Sequence, residues 1–474
     1  METPDSSQDT PSYHPSGTPP VYPQPNEVAP GYPVYPQGGY GYGGYPQTQP
    51  QQPTGYGANY GYQQMYPNYL PPQLPVKRDV YRLVIGIISI VLLVPVLITG
   101  LLLLIVVFAG PALNLLDPQS GLGTWTLASL IGGIAAIGGG TGLYFTIRAL
   151  MGRPSAEVKL PTFFLPLGLA IAALVAADVQ YTLGGPQGLA LLQSPLLLLT
   201  GILPSIAIFS LALQRLRYPV TWRHVWMSFL SGMFMATLLA LIVELIASVF
   251  IVILLRSKSS DITQFGQAGG PDILTVFIIL SVVAPLAEEG FKPLGPIMII
   301  GRIKAPAEAF LLGMAAGIGF NIFETTGYIS SGQADWAYTA FERMGSGLLH
   351  GVGAGMGMLG WYYIFRGQGV VNRYGKGFGA LAYAVLQHGI FNGANLLSLI
   401  PGPIGNALQT PVWFFGFPET GQIYLFVVFY AVIIWVLLRV THSIRYTNPQ
   451  PPVPTSTATT ASPVISTPLL RGGM

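Results

Sequence analysis

Long apolar stretches alternate with short polar ones along most of the chain. Each stretch is about the length that crosses about 30 Å of hydrocarbon as a helix, because a helix rises about 1.5 Å per residue. We therefore expect ten membrane-spanning helices, the last one short. The ten apolar windows lie at 83–108, 125–147, 160–177, 189–213, 225–255, 273–300, 306–329, 345–365, 377–399 and 421–438.

Two terminal segments lack this pattern. Residues 1–76 are rich in proline, tyrosine, glutamine and glycine and contain no lysine or arginine. Such a tract buries too little apolar surface to offset the entropy of ordering it, so we expect it to be disordered. We expect the same of the Pro/Thr/Ser-rich residues 447–474. Between these tails we divide the chain into helices one to five at 80–256 and helices six to ten at 270–440.

The composition supports a membrane protein. Hydrophobic residues make up 51% of the 474 residues and charged residues only 8%, against about 25% in a typical soluble domain. The mean hydropathy is +0.53, so lipid is the expected solvent and the fold class is an all-α, polytopic membrane protein. The net charge of +3 without a basic patch predicts no nucleic-acid partner. The absence of cysteine excludes disulfides and thiolate sites.

Basic residues predict the orientation of the helices, because lysine and arginine collect in short cytoplasmic loops. With the N-terminus placed in the cytoplasm, the outer loops hold only Arg256, Lys258 and Arg343. The other loop lysines and arginines then fall on the inner side. This alternation through ten windows predicts a multi-pass protein of the cell membrane with both termini in the cytoplasm.

Ionisable side chains are rare in the apolar windows and concentrate in four consecutive ones. Each costs about 2.5–3.5 kcal/mol in a membrane helix and usually marks a functional site. We expect them to converge on one hydrated pocket in the bilayer. Outside these windows, Glu244 is the only deep charge, and we interpret it as structural. From the sixth window to the ninth, the polar candidates are Glu288, Glu289, Lys292, Glu324, His350, His388 and Asn392.

Helical spacing predicts which of these residues share a face. Glu288 and Lys292 are four residues apart, so they can pair, whereas Glu289 lies about 100° around the helix and is predicted to point elsewhere. His388 and Asn392 are also four apart. Prolines on both sides of the acidic pair, at 285, 293 and 296, predict a kink that makes room for water.

Two of these polar segments resemble motifs of the PrsW family of intramembrane proteases. The segment EEGFK, from Glu288 to Lys292, matches that family's EExxK motif. Phe320 and Glu324 resemble its FxxxE element. The match extends over about residues 270–400 and keeps the family's order of motifs, with roughly one motif in each helix.

Two further motifs carry the same resemblance. The pair Arg343 and His350, and the segment HGIFN from His388 to Asn392, are similar to the family's third and fourth motifs. The family is in turn distantly similar to the CAAX-prenyl endopeptidases. The resemblance implies hydrolysis of peptide bonds in the membrane, with membrane-anchored proteins such as anti-sigma factors as substrates.

Peptide hydrolysis requires an activated water, a donor for the developing oxyanion and an acid for the leaving amine. A glutamate in a low-dielectric pocket suits the role of general base. We expect Glu288 or Glu289 to be that base. Lys292 would keep the neighbouring carboxylate charged.

Two mechanisms fit these residues. In the first, Glu324, His350 and His388 bind Zn²⁺, since two histidines and a carboxylate are a common catalytic zinc set. In the second, glutamate activates water without a metal, and His388 and Asn392 stabilise the oxyanion. The sequence does not decide between them.

Two other classes of function remain open. Membrane carboxylates and histidines also form proton relays in ion-coupled transporters, which often contain inverted repeats. The ionisable groups of this chain fall almost entirely in its second half, without such symmetry. The chain could alternatively be an inactive membrane scaffold that recruits partners through its long N-terminal tail.

Overall fold

The computed structural model describes residues 80–109, 122–188, 190–256, 270–331, 336–398, 400, 402–414 and 417–446. The predicted disordered segments 1–76 and 447–474 lie outside the described residues.

Almost the whole of the described chain is helical. Three π-helical turns lie at Ser231–Ala236, Ile279–Val283 and Val371–Lys376. The first two join consecutive helices into longer runs. The helices are α1 (Val80–Ala109), α2 (Leu122–Leu150), α3 (Phe164–Gly188), α4 (Ala190–Leu216), α5 (Trp222–Leu230), α6 (Thr237–Leu255), α7 (Gly270–Ile278), α8 (Ala284–Phe291), α9 (Leu294–Met298), α10 (Pro306–Ser331), α11 (Trp336–Arg366), α12 (Gly377–Leu397), α13 (Pro403–Gln409) and α14 (Gln422–Ser443).

The helical runs follow the apolar windows. The fifth window is the run from α5 through a π turn to α6, and the sixth contains α7, α8 and α9. Within the described residues, seven helices are long and apolar enough to cross a membrane. Three of the ten expected spans are not among them: α3, whose apolar part is shorter, and α11 and α12, which contain many glycines and polar motif residues. The predicted class, a helical multi-pass membrane protein, is confirmed.

One element near the end of the chain was not predicted. Between α13 and α14 the backbone forms a short antiparallel hairpin of β1 (Pro411–Phe414) and β2 (Phe417–Thr420). Its strands contain the aromatic and β-branched side chains that favour extended backbone, and Trp413 is 74% exposed. Four residues in each strand are too few to give an alternation that can be recognised in the sequence.

Helix α10 lies at the centre of the bundle. Phe310, Leu311 and Met314 are fully buried, and glycines let neighbouring backbones approach closely. A Cβ at Gly317 would stand only 2.0 Å from the carbonyl oxygen of His350 on α11. The two helix backbones therefore lie close together at the level of His350. This close approach also sets the position of His350, one of the predicted site residues.

The sixth window is broken where the sequence predicts a kink. Helix α8 begins with Pro285 in its first turn and ends at Phe291, with Lys292 as its C-cap. Pro293 then precedes the five-residue α9. A π turn comes directly before α8, and such turns are frequent at functional sites. The acidic pair is therefore carried on a short helical segment with altered backbone at both ends.

Replacing Gly317 with alanine should destabilise the bundle. The new methyl group must displace the α11 backbone, and overpacking of this kind costs about 1–3 kcal/mol. The matched control is Gly140→Ala on α2, where a Cβ meets nothing within 4 Å. We expect Gly317→Ala to lower the midpoint of thermal unfolding in detergent and Gly140→Ala to leave it unchanged or slightly raised. Equal midpoints for the two variants would contradict this packing.

Candidate active site

Four helices bring the predicted site residues together in the interior of the bundle. Helix α8 and its C-cap supply Glu288, Glu289 and Lys292, while α11 supplies His350 and α12 supplies His388. All five side chains are buried. Helix α10 contributes Glu324 at the edge of the group, where its side chain is 23% exposed.

Lys292 occupies the middle of this group. Its ammonium nitrogen lies 3.0 Å from Oε2 of Glu288 and 2.5 Å from Oε1 of Glu289. It is also 2.7 Å from Nδ1 of His350 and 4.3 Å from the ring centre of Phe320. The side chain is fully buried, so its charge depends on these neighbours for compensation.

The prediction that Glu289 points away from Glu288 is wrong. Glu289 is three residues before Lys292 and Glu288 is four, and both spacings bring side chains together on a helix. The long lysine side chain ends between the two carboxylates, so both turn towards it. Glu289 is nearly inaccessible, with 1% of its side chain exposed.

His388 approaches the same acidic pair from α12. Its Nδ1 lies 3.0 Å from Oε1 of Glu289 and 3.8 Å from Oε2 of Glu288. Its ring stands nearly perpendicular to that of His350, with centroids 4.9 Å apart. The two histidines therefore present their rings to one small volume beside the carboxylates.

Glu324 lies on the opposite edge of the His350 ring. Its Oε2 is 2.8 Å from Nε2 of His350 and 3.4 Å from Nη1 of the buried Arg343. We assign the proton of His350 to Nε2, because the Glu324 carboxylate lies beside that nitrogen as an ion-pair partner and Nδ1 faces the Lys292 ammonium. Glu324 thereby fixes the tautomer of His350 and leaves Nδ1 as the nitrogen that faces the cluster.

Four of these residues could hold a metal ion. One ligand atom from each of Glu288, Glu289, His350 and His388 lies within 4.8 Å of the other three. Buried Oε2 of Glu289 has no hydrogen-bond partner among the described residues, which leaves it available to a ligand. Imidazole and carboxylate are suitable donors for zinc. Glu324, predicted as the third ligand, is not one of these four.

The charge balance of the site also fits a divalent cation. With both histidines neutral, the connected group has four negative and two positive side chains, which gives a net charge of −2. A buried group of this charge is costly unless it is compensated. The four acids are Glu288, Glu289, Glu324 and Glu342, and the two bases are Lys292 and Arg343.

Asn392 makes a different contact from the other predicted residues. Its Nδ2 donates to the carbonyl oxygen of Leu280, at 2.8 Å, in the π turn that precedes α8. This bond ties α12 to the segment that carries the acidic pair. A role of Asn392 in stabilising an oxyanion remains a prediction.

Sequence analysis missed Gln387 as a site residue. Its Nε2 donates to the carbonyl of Leu349 at 2.8 Å, and its buried Oε1 has no hydrogen-bond partner within the described residues. A Cβ at Gly353 would lie 2.4 Å from Gln387 Nε2 and 3.2 Å from Glu289 Oε2. Gly353 therefore leaves the space that both side chains occupy. The sequence feature that could have indicated Gln387 is its position, as a polar residue next to His388 in an otherwise apolar helix.

Arg343 is buried and paired with its neighbour Glu342. Nη2 lies 3.0 Å from Oε1 of Glu342, while the guanidinium lies 4.0 Å from the ring centre of Tyr328. Through Glu324 it belongs to the chain of contacts that reaches His350. Its position in the interior follows from these contacts and could not be inferred from its place near the start of α11.

A comparison with known families finds a match in the part of the chain that carries these residues. A family model described as PrsW family intramembrane metalloprotease matches residues 220–436. We call residues 220–436 the PrsW region because of this similarity. Searches among curated proteins and among solved structures found no match. The PrsW region runs from the loop before α5 into α14 and includes every predicted site residue, whereas α1 to α4 lie outside it.

Replacing Lys292 should destabilise the PrsW region, because Glu288 and Glu289 would lose the cation that they share. Lys292→Met leaves two carboxylates buried without their shared cation, and breaking a buried pair costs about 3–5 kcal/mol. The double variant Lys292→Met with Glu288→Gln should recover part of that loss, because one of the two charges is also removed. We would measure thermal unfolding in detergent.

The control for this experiment is Lys304→Met. Lys304 lies in an exposed turn between α9 and α10, so its replacement should have little effect on the unfolding midpoint. If Lys292→Met were as stable as Lys304→Met, the ammonium would not be compensating the acidic pair.

Proposed function

We propose that this protein hydrolyses peptide bonds of membrane-anchored proteins within the bilayer, using water activated by Glu288 or Glu289. The observation that carries the proposal is the convergence of these two carboxylates with His350 and His388. They meet inside a region that matches a family of intramembrane metalloproteases. Catalytic zinc sites in proteases commonly combine imidazole and carboxylate donors with a glutamate base.

The proposed reaction is a hydrolysis in which one glutamate carries the proton. As the water oxygen bonds to the scissile carbonyl carbon, Glu288 or Glu289 accepts a proton from that water. The C–N bond then breaks, and the same proton passes to the nitrogen of the leaving amine. Lys292, in contact with both acids, keeps the second carboxylate ionised and in place.

The side chains also fit a metal ion. His350, His388 and one carboxylate of α8 would hold zinc, which when bound supplies a Lewis acid that polarises the scissile carbonyl and lowers the pKa of water. We revise the role of Glu324 from ligand to orienting partner, because it contacts the other edge of the His350 ring. The family match and this donor set favour the metal-dependent mechanism over the metal-free one that the sequence also allowed.

Several further assignments belong to the same proposal. By analogy with the family, anti-sigma-factor-like membrane proteins are candidate substrates. We place the protease core at 270–440 and, from the distribution of basic loops, both termini in the cytoplasm. The family match favours a protease over the ion-coupled transporter or the inactive scaffold that the sequence left open.

Cleavage should depend on the acidic pair and on His388. Glu288→Gln, Glu289→Gln and His388→Asn each remove a group proposed to act in the reaction, and loss of a positioned acid or base costs about 10²–10⁴-fold in rate. We would reconstitute each variant in vesicles with a set of single-span membrane peptides and detect products by mass spectrometry.

Glu308→Gln is the matched control for these variants. Glu308 is also a buried glutamate, but its Oε2 accepts from Tyr218 at 2.7 Å and from the backbone of Lys304, outside the candidate site. We expect this variant to retain cleavage. Full activity in all three site variants, or no cleavage of any peptide by the unaltered protein, would overturn the proposed function.

A further inference from the structure

The cluster of buried charges is accessible mainly along one side. The side chains of Lys292, Glu289 and His388 are at most 2% exposed, whereas that of Glu324 is 23% exposed. Beyond Glu324 on α10, Tyr328 is 45% exposed. A peptide that reaches the cluster therefore meets its most open edge at Glu324.

Helix α6 lies opposite that edge. Ala236 and Ala240 pack with Phe320 of α10 and Ala287 of α8. In α6, Ala240 is the only buried residue among those that the structure describes. One turn further along each helix, Glu244 on α6 and Glu324 on α10 follow the packed pair Ala240 and Phe320. The two helices pack together at the level of Ala240 and Phe320, whereas one turn further Glu244 and Glu324 both remain partly exposed. We call the space that this exposure implies between the two acids the opening.

Glu244 is the polar group of α6 at this opening. It is half-buried, and it lies one turn beyond Ala240, which packs in one cluster with Phe320 of α10 and Ala287 of α8. The structure shows no hydrogen bond or ion pair for Glu244 within its described part. The surrounding α6 residues, such as Leu241 and Leu245, are exposed and apolar. A carboxyl group there is costly in lipid unless it has a binding role.

We propose that the opening between α6 and α10, defined by Glu244, Ala247, Glu324 and Gly327, receives a membrane-spanning segment of the substrate in locally unwound form. This inference rests on the proposed protease function and adds the route and a binding group. Hydrolysis requires a peptide bond free of its helix, and the freed N–H groups need acceptors in the bilayer. The Glu244 carboxyl group accepts such an N–H, while Glu324 lies across the opening.

Two observations favour a peptide over a lipid acyl chain as the occupant. Glu324, which borders the opening, also contacts His350 of the candidate active site at 2.8 Å. It also presents carboxyl groups, which an acyl chain cannot bind and a peptide backbone can.

Photocrosslinking tests which face of α6 contacts the substrate. The chain contains no cysteine, so a single introduced thiol can carry a benzophenone without other labelling. Ala247→Cys places it on the face of Ala240, seven residues away, and Val249→Cys places it on the opposite, 53% exposed face. The probes are biotinylated single-span peptides with a central Gly/Asn segment, in phosphatidylcholine vesicles.

We expect the Ala247 label to capture the peptides more strongly than the Val249 label, whether or not cleavage follows. Capture without cleavage in the unaltered protein would support the opening and overturn the protease. Cleavage with equal or no capture at Ala247 would support the protease and overturn the opening, as would capture of lipid alone. Neither capture nor cleavage would overturn both.

Substitutions at the opening give a second test. Glu244→Leu removes the hydrogen-bond acceptor and should raise KM about five-fold with little change in kcat. A change of about five-fold corresponds to the loss of one hydrogen bond between membrane segments. Glu244→Gln keeps an acceptor oxygen and should restore KM. An equal effect of the two variants, or a fall in kcat alone, would show that Glu244 does not bind the substrate.

A third test blocks the opening with a larger side chain and compares it with the same substitution elsewhere. A Cβ at Gly327 would meet nothing within 4 Å, and the same holds for Gly168 on α3. Both should therefore accept leucine without loss of thermal stability. We expect Gly327→Leu to reduce capture at Ala247 and Gly168→Leu to leave it unchanged. Unchanged capture in Gly327→Leu would place the peptide elsewhere.

Discussion

The fully buried ammonium of Lys292 imposes the main constraint on this bundle. A charge in the interior of a membrane protein is tolerated only beside groups that compensate it. Glu288 and Glu289 do so at 3.0 and 2.5 Å, and these acids are themselves tolerated only because the lysine is there. The arrangement of the neighbouring helices follows, since each must offer a polar group where α8 carries these charges. His350 and His388 are those groups on α11 and α12.

The backbone around the charges is shaped to bring them together. Pro293 ends α8 directly after Lys292, and a π turn precedes the helix. Gly317 lets α10 lie against the carbonyl of His350, and Gly353 leaves room for Gln387 and Glu289. These positions carry no chemistry of their own. They set the distances among the acidic pair, Lys292 and the two histidines.

The sequence alone predicted the helices well because lipid leaves few alternatives to a helix for a long apolar run. It also singled out most of the side chains that meet in the buried cluster, since ionisable groups are rare in such runs. It did not predict which way they turn. Glu289 faces Lys292 because a long side chain can reach across part of a helical turn. Glu324 contacts Nε2 of the His350 ring. The spacing of residues in the sequence does not indicate which of the two ring nitrogens a partner will contact. The partner of Asn392 is a backbone carbonyl from a distant helix, which no local pattern encodes.

The central claim is that α8, α11 and α12 form one cation site in the membrane. X-ray absorption at the zinc edge of the purified, zinc-loaded protein tests it without relying on activity. We expect the zinc to be coordinated by two imidazole nitrogens and carboxylate oxygen, and one imidazole to be lost in His350→Ala and in His388→Ala. Coordination without imidazole, or coordination that neither substitution changes, would show that these helices do not form the site.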